Sequence, residues 1–149
     1  MERQGADLVA RLPHQPPMRL VEEVVELTPG TLARARRVTR ADDWFFDGHF
    51  PGQPVIPAIV LVELLAQTGG LAAAPDPLPP GPLSMRVAAL NDFKFPDGAG
   101  PGAVLEVTAR VAGRMGRLTK IEGQVTADGR VVASGAITLA EVTRADEGR

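Results

Sequence analysis

The chain has 149 residues, 44% of them hydrophobic and 23% charged, a composition that suits one soluble globular domain burying its own core. It has no cysteine and only two histidines, His14 and His49, which excludes disulfides, thiol catalysis and Cys- or His-rich metal sites. With 16 basic and 18 acidic residues the net charge is −2, so the basic footprint of a nucleic-acid binder is missing.

Residues 1–12 read as a short helix or a tail, the first ten fraying, with no cleavage pattern of a signal peptide. Residues 13–17 (PHQPP) form a rigid extended or turn-like segment, and His14 within it reads as structural. Apolar residues from Met18 to Leu27 suggest a strand, although a helical spacing competes. After the turn Thr28-Pro29-Gly30, residues 31–40 alternate and pair back as a hairpin. The arginines at 34, 36, 37 and 40 suit either a solvated strand face or the steering of an acidic partner.

Residues 42–57 hold Trp44, Phe45, Phe46 and Phe50, four of the six aromatics, among so many prolines and glycines that neither helix nor central strand can form. Pro57 fits the first turn of a helix, and from Ala58 to about Ala73 the chain is apolar nearly all round, as in a helix buried on every side. Five prolines and one glycine in residues 75–82 end it. The remainder reads as strands: 83–95, interrupted at Asn91-Asp92; 103–112; and 118–127 with 130–140, joined by the hairpin pair Asp128-Gly129. Residues 96–102 form a turn, and 141–149 a polar tail that frays. The longest apolar stretch, residues 59–66, is broken by Glu63 and is too short to span a membrane, so the expected location is the cytoplasm. One long helix, a hairpin before it and antiparallel strands after it make a single α+β domain.

Glu63 is conspicuous in so apolar a helix, because an ionised carboxylate loses its hydration when buried without a partner. Gln67 lies one turn on, on the same face. Taken alone, Glu63 is equally readable as an exposed or arginine-paired residue, and His49, on its rigid loop, as a structural histidine. Together they can form an acid–base pair. The free N–H groups at the helix start, that of Ala58 in particular, can serve a carbonyl oxygen that gains negative charge.

The run from Gly48 to Pro57 (GHFPGQPVIP), followed by Glu63-Leu64-Leu65-Ala66-Gln67, resembles the signature of the bacterial 3-hydroxyacyl-acyl-carrier-protein dehydratases of fatty acid synthesis. Leu12-Pro13-His14 with Pro17, Phe45-Phe46, and a weaker block at Phe93-Lys94-Phe95-Pro96 with Pro101-Gly102 extend the likeness over residues 11–140. The resemblance implies a hot-dog fold, an antiparallel sheet wrapped around the central helix. It implies a homodimer with shared active sites, in some members a trimer of dimers, and acyl carrier protein as partner. His49 would act on the C2 proton of the substrate and the partner subunit's Glu63 on the C3 hydroxyl. Ala58 N–H would serve as oxyanion donor, Phe50, Pro57 and Gln67 as substrate contacts, and an apolar tunnel would hold the acyl chain. No residue identifies a metal or organic cofactor, and the elimination requires neither. The family usually has glycine where this chain has Ala58, whose methyl would crowd the thioester. The block 96–102 is longer than usual and lacks a basic residue before Pro96, which implies altered substrate access or carrier contact. A thioesterase on the same scaffold and a non-catalytic acyl-binding protein are the competing readings.

Overall fold

The computed structural model describes residues 8–49 and 52–142. Its strands are β1 (Glu23–Thr28), β2 (Leu32–Val38), β3 (Met85–Lys94), β4 (Val104–Met115), β5 (Leu118–Ala127) and β6 (Arg130–Glu141), with one long helix, α1 (Ala58–Ala72). They form a single antiparallel sheet in the order β1-β2-β4-β5-β6-β3. The sheet wraps around α1, which packs against β1, β2, β4, β5 and β6. This is the α+β hot-dog architecture expected. Among the described residues no helix is long and apolar enough to cross a membrane.

Alternation decides which face of each strand meets the helix. Leu105, Val107 and Ala109 of β4, with Ile121 and Val125 of β5, point inward and are fully or almost fully buried. Asp128 and Gly129 both take positive φ (49° and 85°), the left-handed pair that a two-residue hairpin needs. Asp128 Oδ1 also accepts from Val104 N at 3.1 Å, tying the turn to β4.

Three expectations change. The first strand begins at Glu23 rather than Met18, because the N–H groups of Leu20 and Val21 are taken by the side chain of Gln67 (2.9 and 3.4 Å) and do not join the ladder. Asn91-Asp92 does not break β3; Asp92 takes a positive φ of 56° and the pairing with β6 slips between Asn91 and Lys94, a bulge within one strand. And α1 is not buried on every side. Ala58, Ile59, Val62, Glu63 and Gly70 remain partly or fully open, and Ile59 is 78% exposed.

The inner face of the sheet is fitted to α1 by glycine. A methyl group on Gly123 in β5 would collide with the carbonyl oxygen of Thr108 and stand 2.7 Å from Leu65 Cδ1. Backbone cannot retreat as a side-chain tip can, so Gly123→Ala overpacks the helix–sheet contact. It should destabilise the protein by about 1–3 kcal/mol, read as a lower urea midpoint; an unchanged midpoint would mean that α1 is not seated this tightly.

Candidate active site

His49 lies in the loop that joins a 3-10 turn at Trp44–Phe46 to α1. Phe45 and Phe46 are buried, with ring centroids 4.9 Å apart, and anchor that turn in the core. Beneath them Arg37 is nearly buried, not part of a solvated strand face. It meets Asp43 Oδ1 at 2.5 Å, donates to the Leu20 carbonyl at 3.0 Å and lies 5.3 Å from the Phe45 ring centroid. Asp43 in turn accepts from Arg40 N at 2.7 Å, and its carbonyl accepts from Phe46 N. The other three arginines of the cluster pair with Glu26, Glu106 and Glu22. Local neutralisation of this kind leaves little field to steer a partner.

The imidazole of His49 meets the carbonyl oxygen of Val55 through Nδ1 at 2.8 Å. A carbonyl only accepts, so Nδ1 carries the proton and Nε2 of the neutral ring carries the lone pair. That tautomer is the one a general base on Nε2 requires. Val55 is held in turn by the long block of residues 96–102. Ile56 N donates to Ala99 O at 2.8 Å, and a Cβ on Gly98 or Gly100 would come within 3.1 Å of Val55 Cγ2 or Pro54 O. Buried Thr39 fastens the same loop, donating to Gly100 O (2.8 Å) and accepting from Ala103 N (2.9 Å). Sequence reading tied the extra length of residues 96–102 to substrate access or carrier contact; in the fold this block braces the histidine loop. At its rim Asp97 pairs with Arg130. The Gly98 N–H, and then Arg130, hold the Asp97 carboxyl below its ordinary range.

Glu63 opens on a cavity of about 210 Å³, whose lining includes His14, Gln67, Gly70, Leu83, Met85 and Leu139. Residues 63, 66, 67 and 70 of α1 line it along two turns, the i, i+3, i+4, i+7 face. The void is of the order of the roughly 150 Å³ apolar cavity that holds benzene, so it has room for a hydrocarbon segment. Gln67, expected as a substrate contact, is fully buried with its amide already engaged. Oε1 accepts from Leu20 N and Val21 N, while Nε2 donates to Met18 O (2.7 Å) and Glu63 Oε1 (3.1 Å). His14, read from sequence as structural, stands with Nε2 3.4 Å from Glu63 Oε1 and lines the same cavity. The only cue available was its place in the Leu12-Pro13-His14 block, since proline-rich surroundings say nothing of what the ring faces.

Pro57 caps α1 in an extended conformation (φ −62°, ψ 140°), one step before the first turn. Val60 N and Leu61 N both bond to its carbonyl, leaving Ala58 N–H among the unpaired donors of the helix start. Ala58 is exposed beside an apolar groove formed with Ile59, Val62, Leu90, Phe93 and Phe95. Phe50, expected as a substrate contact, lies outside the described residues. Within one chain Glu63 meets His14 and Gln67, and His49 is not among the residues lining its cavity. Among the described residues no group of three or more His, Cys, Asp or Glu converges as metal ligands do.

The family model for the FabA-like domain matches residues 12–136. The chain is 36% identical over 136 residues to a 3-hydroxyacyl-acyl-carrier-protein dehydratase, FabZ, of Herpetosiphon aurantiacus, covering 91% of this chain and 96% of that protein. It is 38% identical over 129 residues to the FabZ of Streptococcus pneumoniae serotype 4, covering 87% and 91%. Among solved structures, the dehydratase heterocomplex ApeI:P of Xenorhabdus doucetiae superposes with a TM-score of 0.79 at 15% identity over 94% of this chain and 93% of that one. A hypothetical thioesterase with coenzyme A from S. pneumoniae superposes with a TM-score of 0.62 at 11% identity, over 80% and 84%. At these identities the superpositions establish the fold, which the two structures share, and do not choose between their chemistries.

Proposed function

The chain belongs to the FabA-like domain family, and from that premise we propose that it removes water from 3-hydroxyacyl thioesters carried on acyl carrier protein, in fatty acid biosynthesis. The observation that carries the chemistry is the fixed tautomer of His49. With Nδ1–H bound to Val55 O, the Nε2 lone pair takes the C2 proton. The electron pair of that C–H bond passes through the enolate into the new C2=C3 bond. Glu63 delivers a proton to the departing C3 hydroxyl, which leaves as water. The thioester oxygen gains charge at the enolate stage, and Ala58 N–H at the positive end of α1 suits it as donor. The cavity beyond Glu63 suits the acyl chain.

We further propose that the site is shared between two copies. Among the described residues His49 and Glu63 share no hydrogen bond, ion pair or cavity within one chain, whereas the pair would act on adjacent carbons. Strand β3 is an edge strand paired only with β6 and exposed at eight of its ten positions. Leu90 is 50% exposed and Phe95 42%, next to the open stripe of α1 at Ala58, Ile59 and Val62. An apolar edge of this length invites a second strand, and a second copy supplies one by two-fold pairing. A trimer of such dimers is compatible with this arrangement.

Incubation with a trans-2-enoyl thioester should bleach the ultraviolet absorbance of the conjugated thioester as water adds. Release of free thiol in its place would point to a thioesterase. Neither signal, with carrier-protein and coenzyme A substrates and well-folded protein, would sink the enzymatic reading.

A further inference from the structure

Glu63 is a long side chain whose three side-chain torsions would leave its carboxylate free to wander, yet one of its oxygens has two close polar neighbours. Gln67 Nε2 donates to Oε1 at 3.1 Å, and His14 Nε2 stands 3.4 Å from the same Oε1. Among the described residues Oε2 takes part in no hydrogen bond or ion pair. Gln67 cannot shift easily, since three backbone groups hold its amide. His14 lines the same cavity from the segment that precedes β1, and Arg19 Nε fixes its backbone by donating to the His14 carbonyl at 3.0 Å.

Resting on the dehydratase reading, we propose that His14 is a positioning residue: with Gln67 it captures Oε1 of Glu63 and so presents Oε2 to the substrate hydroxyl. The tautomer follows from burial. His14 Nδ1 is buried and, among the described residues, has no hydrogen-bond partner. A proton there would be a buried unpaired donor, which is costly, whereas an unused lone pair costs less. The proton therefore sits on Nε2, facing Glu63. The contact is longer than a good N–H···O bond, as catalytic contacts often are before substrate tightens them.

Two measurements test this. In the hydration assay, His14→Leu should lower kcat by roughly 10- to 100-fold, the scale of a misaimed catalytic group, with KM little changed. His14→Gln, whose amide can reach the same oxygen, should recover most of the loss. In a Glu63→Gln background, His14→Leu should cost almost nothing further, because its effect runs through that carboxylate. Equal losses in both backgrounds, or a Gln variant as poor as Leu, overturn the proposal.

The second measurement needs no turnover. His49→Ala leaves His14 as the only imidazole in the chain, so two-bond proton–nitrogen correlation spectra read its tautomer alone. The expected pattern is Nε2–H, with a nitrogen shift that moves when Glu63→Gln is added. An Nδ1–H pattern, or a shift indifferent to Glu63, overturns the link. Should wild type fail to hydrate any enoyl thioester, the dehydratase reading falls, while the spectra still decide whether His14 and Glu63 are coupled.

Discussion

His49→Ala and Glu63→Gln proteins, each expected to be nearly inactive alone, should regain about a quarter of wild-type hydration activity when mixed in equal amounts and allowed to exchange subunits. Each substitution removes one proton-transfer group, and such groups contribute roughly 10²- to 10⁴-fold in rate. In a homodimer of either variant every site lacks one partner. Random exchange makes half of the dimers mixed. In each mixed dimer one site receives His49 from the Glu63→Gln chain and Glu63 from the His49→Ala chain, while the other receives neither. Half of the dimers with half of their sites gives a quarter. The expectation follows from geometry, because Glu63 contacts His14 and Gln67 at the edge of its cavity and His49 is turned to Val55 on a separate loop. Should the mixture stay inactive although mass spectrometry shows mixed dimers, the two groups act within one chain and the shared-site reading is wrong.

Leu90→Asp should yield a folded monomer whose hydration rate is lower by more than about 100-fold, the smaller end of what losing a catalytic acid costs. Leu90 stands at the middle of the exposed edge strand, against the groove that Ile59, Val62, Phe93 and Phe95 share. Its side chain does no work in the core of its own chain, so the substitution leaves the monomer's packing alone. Across a two-fold axis, by contrast, each carboxylate is brought to an apolar interface twice over, and burying an unpaired charge is strongly unfavourable. Analytical ultracentrifugation with circular dichroism separates the outcomes. A dimeric, active Leu90→Asp protein would remove β3 from the interface; an unfolded one would show that the edge supports the single chain.

Much of the fold was legible because it is written in local chemistry. Asp128-Gly129 announces a hairpin whose two left-handed residues few other pairs accept, and the structure has it. The apolar run after Pro57 announces α1, whose observed span differs by one residue from the expected one. The first strand was misjudged at its start because a side chain 47 positions away, Gln67, takes the Leu20 N–H that a ladder would have used. Arg37 shares the inward face of β2 with Ala33 and Ala35, and a charge there is tolerated because Asp43 and the Phe45 ring receive it. A partner as distant as Gln67 leaves no period in the sequence.

The sequence by itself determined the elements and the antiparallel α+β class and singled out His49 and Glu63 as the proposed chemical pair, since turn residues, hydrophobic period and motif spacing are properties of neighbours along the chain. Only the tertiary structure decided how that pair is held. It set the His49 tautomer through Val55 O, showed residues 96–102 to be the brace beneath that carbonyl, and placed His14 against Glu63. The physical reason is range. Backbone preferences act over a few residues, whereas a hydrogen bond or a packed ring joins whatever the fold brings within about 3 Å, and composition cannot say which groups those will be.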